Sequence, residues 1–323
     1  MLILDDLKLK YKLFFVYLFC VFCPILVINL IFYRHMVRNV KAIQENYYRQ
    51  AAQRIISRIE SDLGTVYTLC NRISLDRTLY EMLDREFQAE IEYVEAYYNY
   101  FLDYVFINGA SYPQISKAVL YTDNTTILHS GSVFRIDEQL RREDWFQQVL
   151  KNPEKIHLLY GETQQKPNNT MVTPLFVVRV LDLYKRLDHY LKFVRFTLNT
   201  ERIMNIILTE KLTGKILIFD REGKILFADH VPDPGWQLED YLEKHKERVV
   251  IEEIPALEWT LVNLIDRQEL SRALRQPRIN IILQTALSLL VASALILWIS
   301  HSFYYRLKAL SAHVNTLVQA GFS

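Results

Sequence analysis

The stretch INIILQTALSLLVASALILWI, residues 279–299, has no charged side chain and reads as one continuous helix. At about 1.5 Å per residue, such a helix is about 30 Å long, which is the thickness of the hydrocarbon core of a membrane. The chain continues into a segment in which Leu307, Leu310, Val314 and Leu317 recur at alternating three- and four-residue steps. This spacing is typical of the seam between parallel coiled-coil helices. We therefore expect a helix that crosses the membrane and passes a conformational change to a paired copy.

A second apolar run, Leu13–Tyr33, also has no charged side chain and lacks the small-residue cleavage site of a signal peptide. It predicts a retained transmembrane helix, with residues 1–12 and residues 303–323 on the same side of the membrane. Basic residues precede the first run, but others follow it and four arginines precede the second, so the positive-inside rule alone would put the middle region in the cytoplasm. The rule is weak, however, for long regions, which translocate largely regardless of charge. A long region between two anchors is typical of an extracellular domain. We therefore expect residues 34–278 outside the cell and both termini in the cytoplasm.

The composition argues against several classes of function. The 323-residue chain has a net charge of +1, so we expect no nucleic-acid partner. Cys20 and Cys23 lie inside an apolar run, and Cys70 has no second cysteine outside the membrane to pair with, so we expect neither a disulfide nor a metal site. The sequence has no phosphate-binding glycine loop, HExxH motif or nucleophile elbow, and we expect no catalytic site in this chain.

The region after the first apolar run predicts one long amphipathic helix. Its apolar residues recur mostly three or four positions apart: Val37, Val40, Tyr47, Ala51, Ile55, Ile59, Leu63, Val66 and Ile73. Ser74 and Asp76 are suitable caps for a shorter helix through Leu83. Residues 91–105 form another helical stripe, which we expect to end at Asn108-Gly109.

After Pro113 the pattern changes to strands rich in β-branched, aromatic and leucine residues. The predicted strands of a first αβ unit are 117–120, 126–129, 171–180 and 191–198, with the first two joined as a hairpin by a turn at Asp123-Asn124. Predicted helices cover 143–150 and 201–212. The predicted strands of a second unit are 215–220, 224–228, 248–253 and 259–265, with the first two joined through Arg221-Glu222-Gly223.

Four segments carry a resemblance to a known family: Val119-Leu120-Tyr121-Thr122-Asp123, Trp145-Phe146, Phe196-Thr197-Leu198-Asn199-Thr200-Glu201-Arg202-Ile203 and Thr213-Gly214-Lys215-Ile216-Leu217-Ile218-Phe219-Asp220. In this order they resemble a double Cache sensor domain, in which two PAS-like sheets are stacked along a long helix that begins at the membrane. The tail from Arg306 to Phe322 is similar to the start of a HAMP linker, with Arg306 where Pro is common. In overall look the chain resembles YesM-like sensor histidine kinases of Gram-positive bacteria, especially in the stretch from Ile73-Ser74-Leu75-Asp76 to Met82-Leu83 and in Asp144-Trp145-Phe146.

The resemblance implies an α+β fold with a long N-terminal helix and two stacked units, flanked by two transmembrane helices. The membrane-distal unit would cover about 75–212 and the membrane-proximal unit about 213–268. The spans would be 13–33 and 279–302, and the HAMP linker would begin in 303–323.

The function implied is the ligand-sensing part of a homodimeric, multi-pass two-component sensor kinase in a bacterial cell membrane. The kinase region, with its ATP and Mg, and the contact with a response regulator are expected beyond Ser323. Two alternatives stay open, a membrane-bound transcription regulator with a helix-turn-helix output and a chemoreceptor. The sequence that follows Ser323 would separate the three.

The resemblance also implies a ligand-binding site, formed by Tyr121, Arg142, Trp145, Phe146, Tyr160 and Glu162. In Cache domains that bind amino acids, an Arg and a Trp-Tyr pair hold the carboxylate, while a Tyr-x-Asp and a later Asp hold the ammonium group. Here Glu143 stands where the Arg is expected and Phe146 replaces the Tyr. Glu162 replaces the first Asp, and Thr197 stands near the second.

Because the charged pairs of that pattern are incomplete, a neutral, sugar-like ligand is favoured over an amino acid. A ligand-loaded binding protein is the other partner that the pattern allows. The alternative to a ligand site is that Trp145 and Phe146 are only core residues.

Overall fold

Helix α1 begins at Cys23, after one π-helical turn formed by Leu18–Phe22, and ends at Ser74. From Tyr48 onward, one side of this helix is buried at the three- and four-residue steps that the sequence predicts. In proteins, amphipathic helices gain most of their stability from the packing of such an apolar stripe, and we expect the same of α1 from Tyr48 to Ser74.

The computed structural model describes residues 18–187, 189–210, 214–230, 242–243 and 249–320. The chain divides into two units, one formed by Tyr47–Asp266 and the other by Met1–Asn46 together with Arg267–Ser323. The fold class is α+β, with a long N-terminal helix and two sheets, as predicted.

Helix α2, Arg77–Asp84, is capped by Asp76, whose side chain accepts a hydrogen bond from the Leu79 amide. This cap confirms the predicted start of the helix. A longer helical region follows, formed by α3 (Glu90–Ala96), a π-helical segment (Tyr97–Phe101), α4 (Leu102–Val105) and a second π-helical segment (Phe106–Ala110). The stop predicted at Asn108-Gly109 was wrong in detail, because both residues lie inside the last π-helical segment and Gly109 does not have the positive φ of a left-handed helix stop.

The first sheet has the strand order β2-β1-β7-β6-β3. Its strands are β1 (Ile115–Thr122), β2 (Val133–Arg135), β3 (Ile156–Tyr160), β6 (Leu175–Val180) and β7 (Lys192–Leu198). The β1–β2 pair is parallel and the other pairs are antiparallel. Helices α5 (Glu138–Arg142) and α6 (Asp144–Lys151) lie between β2 and β3 in the chain, and α7 (Thr200–Thr209) follows β7.

The second sheet has the strand order β10-β11-β8-β9-β5-β4. Its strands are β4 (Gln164–Gln165), β5 (Met171–Val172), β8 (Lys215–Phe219), β9 (Ile225–Ala228), β10 (Val249–Ile254) and β11 (Trp259–Leu264). The β8–β9 hairpin confirms the turn predicted at Arg221-Glu222-Gly223, where Gly223 adopts a φ of +79° that glycine tolerates without strain.

The largest hydrophobic core joins α1 with one face of each sheet. We define the inner face of the first sheet as the face that contributes Val194 and Phe196 to this core. Residues Ile218 and Trp259 of the second sheet belong to the same core. Trp259 is 1% exposed, and truncating a fully buried Trp costs about 3–5 kcal/mol.

Two details of the strand prediction were wrong. Residues 126–129 do not form a strand after β1, because Asn124 folds back instead and accepts hydrogen bonds from the amide and hydroxyl of Thr126. The side-chain Nδ2 of Asn124 donates to the carbonyls of Leu83 and Arg85, and these bonds fix the loop against the end of α2. The next strand, β2, then pairs parallel to β1 and the predicted hairpin is absent.

The predicted strand 171–180 is interrupted at Thr173-Pro174, since proline has no amide hydrogen to continue a ladder. Met171–Val172 pairs with β9 in the second sheet, and Leu175–Val180 pairs with β7 in the first. The second sheet therefore takes strands from a part of the chain that was assigned to the first unit.

Helix α8 runs from Arg267 to Ala320. Among the described residues, Ser271–Ile299 is the one helical stretch that is long and apolar enough to cross a membrane. Residues 13–17 of the other predicted span lie outside the described residues, and the multi-pass topology stays a prediction. The backbone of residues 307–317 is part of α8. The side chains of the seam predicted there, Leu307, Leu310, Val314 and Leu317, lie outside the described part of the structure.

Candidate ligand-binding site

The second face of the first sheet, which we call the outer face, carries its own hydrophobic cluster beneath α5 and α6. Its buried members are Val119, Tyr121, Ile136, Phe146, Val149, Leu159, Val178, Val180 and Phe193. The cluster arises because side chains alternate across a strand, so Phe193 points to this face while its neighbour Val194 points to the inner core.

Tyr121 and Phe193 form the centre of the cluster. The two residues are directly opposite each other on β1 and β7, and their rings are stacked with centroids 4.5 Å apart and an interplanar angle of 9°. Phe134 of β2 packs at the other side of Tyr121, with centroids 5.7 Å apart. Burial raises the pKa of Tyr121 above its ordinary value, so its hydroxyl is neutral and able to donate or accept a hydrogen bond.

Helix α6 lays Trp145 and Phe146 over this centre. Phe146 is 2% exposed and its ring centroid lies 5.8 Å from that of Phe193. Trp145 is only partly buried and packs 6.0 Å from the same ring. The side-chain amide of Gln147 donates to the carbonyl of Arg141 at 2.7 Å and ties α6 to α5. Phe146 is thus a core residue, whereas Trp145 forms the rim of the cluster.

A cation, Arg195, lies among these aromatic rings. Arg195 is on β7, directly opposite Val119 on one side and Val178 on the other, so its side chain lies on the outer face. Its guanidinium carbon lies 5.2 Å from the centroids of the Tyr121 and Phe176 rings and 5.6 Å from the centroid of the Trp145 ring. Each distance is within the range of a cation–π interaction.

The Nε atom of Arg195 is buried and has no hydrogen-bond partner. In the described part of the chain, no carboxylate forms an ion pair with this guanidinium. A charged group in such a position usually has a partner, because burying it without one is costly.

The six predicted site residues do not all meet in one place. Tyr121, Trp145 and Phe146 are brought together on the outer face. Tyr160 pairs with Leu175, whose side chain belongs to the inner core, so Tyr160 lies on the opposite face of the sheet. There its hydroxyl accepts a hydrogen bond from Nε1 of Trp259 at 3.1 Å.

The two predicted charged residues are exposed. Arg142 lines a surface groove together with Glu138, Gln139, Glu143 and Asp144. Glu162 is exposed in the segment that follows β3. Asp123, two residues after Tyr121, is occupied by other contacts, since its carboxylate accepts hydrogen bonds from the Leu191 amide at 2.7 Å and from Arg141 at 2.8 Å.

Arg195 was missed in the sequence, although a signal for it exists. It stands in Lys192-Phe193-Val194-Arg195-Phe196-Thr197-Leu198, an otherwise apolar strand, on the same alternating face as Phe193 and Thr197. Burying a charged residue among apolar neighbours in a strand is costly, so such a residue indicates a specific partner or function. Within the described residues, no group of three or more His, Cys, Asp or Glu side chains is placed to hold a metal ion.

No protein-family model and no curated protein sequence matches the chain. Among solved structures, the chain is similar to the extracellular domain of vpHK1S-Z8, a proposed histidine kinase, with 10% identity and a TM-score of 0.46, over 73% of this chain and 98% of that one. It is also similar to the ligand-binding domain of Mlp24, solved with asparagine, with 11% identity and a TM-score of 0.43, over 75% and 98%. A third is the ligand-binding domain of the Pseudomonas aeruginosa amino-acid chemoreceptor PctC, solved with GABA, with 16% identity and a TM-score of 0.41, over 69% and 100%.

Proposed function

We propose that this chain is the sensor part of a bacterial membrane receptor and that its extracellular domain, residues 34–278, binds a small molecule on the outer face of the first sheet. The observation that carries the proposal is the aromatic cluster at Tyr121, Trp145 and Phe176, which surrounds the Arg195 cation beneath α5 and α6 and in which Trp145 and Phe176 are only partly buried. Partly open clusters of rings with a few polar groups are typical of small-molecule sites.

The domain is connected to the apolar stretch Ser271–Ile299 through the end of β11. A ligand that draws α6 toward the sheet changes the packing of the domain, and α1 and α8 carry the change to the membrane. The ligand shifts this equilibrium only by its differential affinity for the two conformations. The seam at Leu307, Leu310, Val314 and Leu317 transmits the shift between two copies of the chain.

The output that we propose is a histidine kinase region with ATP and Mg, acting on a response regulator. The support for this choice is the resemblance of the sequence to YesM-like kinases. A chemoreceptor or a transcription regulator would use the same sensor, and the coding sequence that follows Ser323 distinguishes them. A phospho-accepting His before an ATP-binding segment supports the kinase, a long series of heptads supports the chemoreceptor, and a helix-turn-helix supports the regulator.

The binding proposal is tested with the full chain in lipid nanodiscs. A panel of sugars, amino acids and organic acids is screened for a rise in the temperature of thermal unfolding. We expect at least one class to raise it, since a ligand that binds only the folded state stabilises that state. Trp145→Ala should abolish the rise while the ligand-free protein remains folded, because Trp145 is at the rim.

Tyr98→Ala is the matched control, since Tyr98 is an exposed aromatic residue on the π-helical segment Tyr97–Phe101. It should respond as the unmodified chain does. Loss of folding in Trp145→Ala would assign this residue to the core and remove the site. Absence of any response across the panel would exclude direct binding of these classes and leave sensing through a carrier protein.

A further inference from the structure

We infer that the ligand of the outer face carries a carboxylate and that Arg195 binds it. The inference rests on the proposed sensor function and adds a chemical class to it. It differs from the preference for a sugar-like ligand, which was based on the incomplete charged pairs of the amino-acid-binding pattern and did not take Arg195 into account.

The first step of the argument is the state of the Arg195 guanidinium. Its Nε is buried without a hydrogen-bond partner, whereas the two terminal nitrogens are neither buried nor bonded to a described residue. The inner side of the group is therefore held by rings, and the outer side presents two parallel N–H groups. That fork matches the two oxygens of a carboxylate.

The second step is the charge around Arg195. Lys117 and Thr197 are opposite each other two residues along the same two strands, on the same face as Arg195. Diagonal neighbours in an antiparallel pair are about 7–8 Å apart, so Lys117 adds a second positive charge near the fork. Its Nζ lies 5.3 Å from the Phe134 ring centroid and forms no ion pair with a described residue. Two positive charges, Arg195 and Lys117, thus lie on this face of β1 and β7, which favours an anion.

The third step selects the kind of anion. The Tyr121, Trp145 and Phe176 rings surround the guanidinium and provide an apolar wall. An inorganic phosphate or sulfate is strongly hydrated and gains little from such a wall. A small organic acid places its carboxylate on Arg195 and its carbon chain against the rings, so both parts of the site are used.

Arg179 provides an internal comparison. It is a partly buried arginine on the neighbouring strand β6, and its Nε also has no partner. Its Nη1, however, donates to the carbonyl of Glu154, and its side chain lies on the inner face with Leu175 and Val177. Arg179 is therefore bonded within the protein, whereas the two terminal nitrogens of Arg195 are available to a ligand.

The test uses the full chain in nanodiscs, with C2–C6 mono- and dicarboxylates, the common amino acids, hexuronic acids, the corresponding neutral hexoses and inorganic phosphate as probes. Thermal unfolding and isothermal titration are the readouts. We expect a carboxylate to bind and its neutral analogue to bind at least tenfold more weakly. Arg195→Met, which keeps an apolar stem, should weaken that binding at least tenfold and leave the ligand-free unfolding temperature unchanged or higher.

Arg179→Met is the matched control, and it should lower the unfolding temperature while leaving the affinity of the remaining folded protein unchanged. Three results would overturn the inference: no response to any carboxylate, equal response to phosphate, or binding unaffected by Arg195→Met. A neutral hexose that binds and depends on Trp145 but not on Arg195 would overturn the carboxylate class while the proposed sensor function stands.

Discussion

The Nζ atom of Lys192 lies 2.7 Å from Oδ1 of Asp84, and both side chains are buried. Lys192 is the first residue of β7, and Asp84 is the last residue of α2. The same Nζ donates to the carbonyls of Leu187 at 2.6 Å and Tyr190 at 2.8 Å. This ion pair fixes the beginning of the strand that carries Arg195 to a helix that lies more than a hundred residues earlier in the chain.

We predict that Lys192→Met lowers the free energy of unfolding by about 3–5 kcal/mol, because removing one member of a buried pair leaves the other charge buried. The double variant with Asp84→Leu should lose less than the sum of the single variants. Arg77→Met is the control, since its pair with Glu81 is exposed and such pairs contribute about 0.2–1 kcal/mol. Chemical denaturation measures all four proteins, and equal losses for the buried and exposed pairs would contradict the prediction.

The thiol of Cys70 should be unreactive in the folded protein. Burial raises its pKa from 9.0 to about 12, with a smaller opposing effect from Arg179. Because only the thiolate reacts, alkylation at pH 8 should be about a thousandfold slower than in denaturant. The raised pKa favours the folded state below pH 9, and this contribution should be lost as the pH rises toward 12. Rates of iodoacetamide labelling with and without denaturant test this, and similar rates would place the thiol at the surface.

The proposed topology requires a labelling site that is exposed, and Cys70 is not one. Ile107 is 61% exposed on the π-helical segment Phe106–Ala110. In a chain whose three native cysteines are replaced by Ser, Ile107→Cys should react with a membrane-impermeant maleimide in intact cells. Lys8→Cys should react only after the membrane is opened. The reverse pattern would place residues 34–278 in the cytoplasm.

The proposed seam predicts a dimer contact along α8. Single cysteines at Leu307, Leu310, Val314 and Leu317 should form crosslinks between two chains in membranes, because these positions recur on one side of a helix. Cysteines at Ala309 and Asn315 are the controls and should crosslink several times less. A crosslinking efficiency that does not vary along residues 307–317 would remove the transmission step from the proposal.

The elements that the sequence predicted correctly are those in which neighbouring residues decide the conformation. The stripe of α1, the cap formed by Asp76, the hairpin at Gly223 and the apolar run 279–299 each depend on residues within a few turns of one another. Local spacing, capping geometry and hydropathy were therefore sufficient for them.

The candidate site depended on pairings that local sequence does not contain. Alternation along β3 predicts that Leu159 and Tyr160 point to opposite faces, but only the pairing of Tyr160 with Leu175 shows which face is the inner one. A strand's period is fixed by its residues, whereas its register and neighbours are fixed by the core that it must fill. Arg195 joins Tyr121, Trp145 and Phe176 for the same reason, since β7 lies between β1 and β6. The sequence by itself determined the helices, most strands and the long apolar stretch 279–299, and the tertiary structure alone decided which side chains meet, because strand partners are selected by long-range packing.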